Sequence, residues 1–84
     1  MEKKYYANMS VNNGTHYRPA WEGRNYRKLA NEISKSAKAN CFVGNDYSWK
    51  VWDEKGIIVA AGAGHKTSNG FSYMRCSHLI GEYV

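Results

Sequence analysis

The chain has 84 residues, a net charge of +5 and an aromatic content of 14%. A chain of this length buries only about 60–65% of its unfolded surface, so it makes one domain with a thin core and little room for a deep enclosed active site. Three Trp, seven Tyr and two Phe exclude disorder, and two cysteines exclude a disulfide-built scaffold.

From the N-terminus, Lys4–Val11 alternates. Tyr5, Ala7, Met9 and Val11 share one face, and Tyr6, Asn8 and Ser10 share the other, as in a half-buried strand. Asn12-Asn13-Gly14 follows, and Asn-Gly is the strongest short hairpin signal because both residues accept positive φ. Thr15–Arg18 is the expected return strand. It should end at Pro19, which has no N–H for a ladder, or lie on an edge. Ala20–Arg24, with Trp21 and Gly23, reads as a connecting loop.

Asn25–Asn40 is the one helix predicted. Tyr26, Leu29, Ala30, Ile33 and Ala37 form an apolar stripe at 3.6-residue spacing, and Arg27, Lys28, Asn31, Lys35 and Lys38 lie on the other side. Asn25 is a suitable N-cap. Arg27 and Lys28 in the first turn, with Arg24 just before, oppose the helix dipole, at about 0.3–1 kcal/mol per exposed charge. Glu32 is spaced to pair with Lys28 or Lys35. A local choice that works against stability points to function.

After Cys41–Gly44 and an Asn45-Asp46 turn, Tyr47–Asp53 alternates again. Tyr47, Trp49 and Val51 are expected in the core, and Trp52 is expected outside beside Lys50. Asp53–Gly56 is a turn, Ile57–Ala61 an apolar central strand, and Gly62–Gly70 a polar loop. Phe71–Ile80 is the last strand and Gly81–Val84 a tail. Together these predict one α+β domain over residues 1–84: a mostly antiparallel sheet of four or five strands with one helix across one face, in the order β-β-α-β-β-β.

Charge is uneven. Residues 1–40 carry eight Lys or Arg against three acids, and residues 41–84 carry four against four. The excess around the helix suggests an acidic partner, either nucleic acid or an acidic protein groove. Lysines that simply keep a small protein soluble are the bland alternative. No run approaches the ~20 apolar residues of a membrane span, and MEKKYY has no apolar leader region. A cytoplasmic protein with both thiols reduced is expected, with no membrane partner.

Catalytic and metal chemistry find little support. GAGHKT lacks the Gly directly before Lys that a phosphate-binding P-loop requires, and a strand rather than a helix is expected after it. Cys76 and His78 share a strand face, and Cys41, His65 and His16 are further soft ligands, but no paired zinc spacing is present. The only adjacent carboxylates, Asp53-Glu54, lie in a turn. The expectation is therefore a binding protein, not an enzyme, with no cofactor and no metal. Its candidate contact residues are Arg24, Arg27, Lys28, Lys35 and Lys38 for phosphates or acidic groups, and Trp52, with Tyr6, for stacking. No named nucleic-acid module fits this element order.

The helix running into Asn40-Cys41-Phe42-Val43-Gly44, followed by the hairpin YSWKVWDEKGIIVAAG, resembles certain small phage-encoded anti-CRISPR proteins over about residues 25–62. The resemblance implies one helix on an antiparallel sheet. It also implies a non-enzymatic inhibitor that occupies a CRISPR effector complex in the host cytoplasm. Basic helix residues, here Arg27, Lys28, Lys35 and Lys38, would make contact. A basic chain is ill-suited to DNA mimicry, so acidic grooves or DNA itself fit better.

Two other functions compete. One is an oligomeric sponge for a nucleotide signal, with Arg75, Tyr73 and the Gly62–Gly70 segment as pocket candidates. The other is a simple nucleic-acid-binding module.

Overall fold

A computed structural model describes residues 3–12, 14–16, 21–75 and 77–84, with the backbone alone at 15–16 and 71–75. In chain order the elements are β1 (Tyr5–Val11), β2 (Thr15–His16), β3 (Trp21–Gly23), α1 (Tyr26–Asn40), β4 (Asp46–Asp53), β5 (Ile58–Thr67), β6 (Gly70–Arg75) and a 3-10 turn (Ser77–Leu79). The sheet runs β2-β1-β4-β5-β6, and β3 also pairs with β1. Every pairing is antiparallel. This is the expected α+β fold, with α1 packed on one face.

Alternation sets that packing. Ala7, Met9 and Val11 of β1 and Tyr47, Trp49 and Val51 of β4 are buried, and they meet Leu29, Ile33 and Ala37 of α1. The registers Ala7↔Val51 and Met9↔Trp49 bring these side chains to the same face. Tyr26 and Ala30 pack at the margin of this core, so the whole predicted stripe of α1 faces the sheet.

Four local expectations are corrected. Trp21–Gly23, read as loop, is a short strand whose register is Tyr5↔Gly23, Tyr6↔Glu22 and Ala7↔Trp21. The edge beside β1 is thus made of two short strands, and short edges are poor templates for pairing with other chains. The remainder of the Thr15–Arg18 strand and Pro19 lie outside the described residues.

The Gly62–Gly70 segment is not a loop. β5 continues through Thr67, and only Thr67–Gly70 turns, closed by the Thr67 hydroxyl donating to the Gly70 carbonyl at 3.0 Å. Glycine-rich composition misleads there because cross-strand pairing on both sides holds the backbone extended.

The last strand is also shorter than Phe71–Ile80. β6 spans Gly70–Arg75, Ser77–Leu79 forms the 3-10 turn, and residues 80–84 return to β5's start. Ile58 N–H donates to Glu82 O and Gly81 N–H to Ile58 O, each at 2.7 Å, and Val84 N–H donates to Gly56 O at 2.8 Å. The predicted tail is therefore a structural strap, with Ile57 bridged to Tyr83.

That strap explains the fourth correction. Trp52 does not lie outside; it is only 9% exposed. Ile58, Ala61, Tyr6 and Leu79 enclose it in a second small core on the sheet face away from α1. A register shift at Val51/Trp52 marks a bulge that takes an extra residue into β5 at this point.

Candidate binding surface

α1 positions the basic residues. Its N-cap works as expected: Asn25 Oδ1 accepts from Arg27 N–H at 3.1 Å and Lys28 N–H at 3.2 Å. No acidic residue occupies the first turn. At 100° per residue, Arg27, Asn31, Lys38, Lys35 and Lys28 fall within an arc of about 100°, over an axial rise of about 17 Å. Arg27, Lys28 and Lys35 are exposed and Lys38 is half-buried. Lys66 of β5 extends the row, its Nζ donating to the Lys38 carbonyl at 3.4 Å. A cation at that end suits the helix dipole.

Arg24, also exposed, sits off the helix axis. With Lys28, Glu22, Glu32 and Leu29 it lines a shallow hollow of about 300 Å³ at the α1 N-terminus. Two carboxylates among the lining make that hollow a poor seat for an anion. Glu22 itself pairs with Lys4 at 2.7 Å, and its hydrogen bond and charge raise the Lys4 pKa above the ordinary lysine value.

On the other flank of the arc, between α1 and β5, lies an open groove of about 590 Å³. Tyr26, Arg27, Asn31 and Ser34 form the α1 wall, and Trp49 and Val59–Ala61 form the sheet side. The Arg27 guanidinium lies 5.8 Å from the Tyr26 ring centroid. A side-chain hydrogen bond to Tyr26 raises the Arg27 pKa. Trp49 Nε1 is buried and has no hydrogen-bond partner.

Sequence reasoning missed this groove. Its available signal was the small-residue run Ala60-Ala61-Gly62 in a strand facing a tryptophan. The arrangement is poor in volume where α1 and β5 meet.

Of the predicted contact residues, the structure brings Arg27, Lys28, Lys35 and Lys38 onto one face. It sets Arg24 beside Lys28 and removes Trp52. Tyr6 stacks on Trp52, with ring centroids 6.4 Å apart, so this pair presents no free double platform for bases. The pocket candidates on β6 pair with β5, Arg75 opposite Gly62 and Tyr73 opposite Gly64.

Cys41 is buried, and its thiol donates to the Asn45 carbonyl at 3.3 Å. Cys76 lies outside the described residues, and His78 is exposed on the 3-10 turn. His65 Nδ1 is 2.6 Å from Asp46 Oδ1 across the β4–β5 pair, an exposed contact. Among the described residues no three His, Cys, Asp or Glu side chains converge as a metal site, and no helix is long and apolar enough to cross a membrane. No family model matches the chain, and no curated protein or solved structure matches it either.

Proposed function

We propose that this chain is a small, non-enzymatic binding protein that inhibits a host defence complex by stoichiometric attachment, in the manner of phage-encoded anti-CRISPR proteins, in the host cytoplasm. The observation that carries this reading is the basic face of α1. Four cations share one arc of about 100°, and two of them stand in a first turn that contains no acid. That placement costs helix stability, a cost that contact with an acidic partner would offset. The surface is long enough to follow an acidic protein groove or a nucleic acid held by a protein.

Direct nucleic-acid binding is the second reading, since the same cations suit phosphates. The burial of Trp52 weighs against base stacking and so favours a protein or protein–nucleic-acid complex. The deciding experiment is affinity purification of the tagged chain from bacteria that carry a CRISPR effector, with duplex DNA binding measured in parallel at two salt concentrations. Stoichiometric co-purification, lost in Lys35→Glu/Lys38→Glu, supports the proposal. A steeply salt-dependent shift of bare DNA without co-purification replaces it with the second reading.

A further inference from the structure

The groove between α1 and β5 borders the exposed basic face and shares Arg27 with it. Its volume of about 590 Å³ falls within the ~300–1,000 Å³ range of small-molecule sites. The lining combines two aromatic residues, Tyr26 and Trp49, with small or aliphatic ones, Ala30, Val59 and Ala60. Among the described residues no carboxylate lines it, and Arg27 supplies a cation.

Two further groups can hydrogen-bond: Asn31 and Ser34 each offer donors and acceptors. Trp49 is 7% exposed and its Nε1 finds no acceptor in the protein. That N–H is itself closed off from the groove, so Trp49 offers a ligand its ring and not its indole donor.

Each feature restricts the occupant. Arg27 without a nearby carboxylate in the lining selects an anion, and its planar fork suits phosphate. Aromatic and aliphatic walls select a flat apolar body, which inorganic phosphate lacks. The Asn31 and Ser34 groups select ring heteroatoms at the edge of that body. An uncharged ring leaves Arg27 unused, and a bare anion leaves the apolar wall wet.

We propose that this groove binds a nucleoside phosphate, with the base between α1 and β5 and the phosphate at Arg27. The site shares Arg27 with the basic face, and Ser34, which belongs to the groove lining and not to the basic row, separates the two readings.

The test is titration of the full chain with adenosine monophosphate, guanosine monophosphate and a cyclic dinucleotide, followed by calorimetry and by the Trp49 indole N–H resonance. Adenosine and inorganic phosphate are the controls. The expected result is saturable binding by at least one nucleotide, with the Trp49 resonance shifting. Adenosine and phosphate should each bind at least about tenfold more weakly, the loss expected when one charge-assisted contact or the stacked ring is missing.

Arg27→Gln should weaken nucleotide binding by about tenfold. Ser34→Leu, which fills the groove from a helix position, should abolish it while keeping the wild-type melting temperature. The proposal is overturned if no nucleotide moves the Trp49 resonance at millimolar concentration, if phosphate alone binds as tightly as the nucleotide, or if Ser34→Leu binds like wild type. Co-purification with a defence complex should be unchanged in Ser34→Leu, so failure here leaves the protein-binding reading intact.

Discussion

The Trp49 indole lies directly against the backbone of Gly62: a Cβ placed on Gly62 would come within 2.6 Å of Cε2, Cζ2 and Nε1 of Trp49. The two residues are cross-strand partners in β4 and β5. No other residue type leaves that space, so the glycine is required by the ring and not by its own backbone conformation. This contact sets how closely the helix-facing core can close over β5.

Gly62→Ala should therefore destabilise the fold by about 1–3 kcal/mol, the usual cost of overpacking. In a domain of this size each kcal/mol is about 4–8 °C in Tm. Denaturant unfolding followed by tryptophan fluorescence measures it. Combining it with Trp49→Phe should recover part of the loss relative to Trp49→Phe alone, because the clash is with the larger ring. Additive behaviour in that cycle would show that the contact is not the source of the strain.

Asp53 is a buried carboxylate, 8% exposed, at the end of β4. Its Oδ1 accepts from Lys55 N–H at 2.9 Å and Ile57 N–H at 3.1 Å, which closes the turn into β5. Asp53→Ala leaves two amides without their acceptor and should cost about 1–3 kcal/mol. Asp53→Asn keeps a carbonyl oxygen there and should cost less. Equal losses in urea denaturation would show that the charge rather than the acceptor matters.

Asn12 ties the first hairpin to the end of the helix. It holds φ at 55°, its Oδ1 accepts from Phe42 N–H at 2.7 Å, and its Nδ2 donates to Asn40 O at 3.1 Å. Asn12→Gly relieves the backbone but removes both bonds, whereas Asn12→Ala also adds left-handed strain. The alanine variant should be the less stable by roughly 1 kcal/mol. If the two melt together, the side-chain bonds and not the conformation dominate.

Lys28 occupies the third helical position after the Asn25 cap. Lys28→Glu places an acid where the helix dipole favours one and where it can reach back to the cap. The dipole gain of about 0.3–1 kcal/mol is offset by the new repulsion with Glu32 four residues on, so Tm should change little while attachment to the partner complex weakens. A thermal melt and the affinity purification, run side by side, read both. Undiminished co-purification would reduce Lys28 to a solubilising charge.

Local patterns were the legible part of this protein. The 3.6-residue stripe from Tyr26 to Ala37, the alternation in Lys4–Val11 and in Tyr47–Val51 and the Asn25 cap each depend on residues close in sequence, and each appears as read. The four basic positions of the helix were equally legible, because helical geometry alone puts them on one face.

What the tertiary structure decided were the contacts between distant segments. Trp52 alternates with Val51 and shares a strand face with Ser48 and Lys50, so alternation placed it outside; it is buried because residues 77–84 return across the far face and hydrogen-bond to β5. GAGHKT reads as loop by composition, yet pairing with β4 and β6 holds it extended. The groove beside Trp49 likewise exists only where α1 and β5 meet, since its walls come from segments that no local period connects. Periodicity fixes which face of an element is apolar, whereas what covers that face depends on chain closure over many residues.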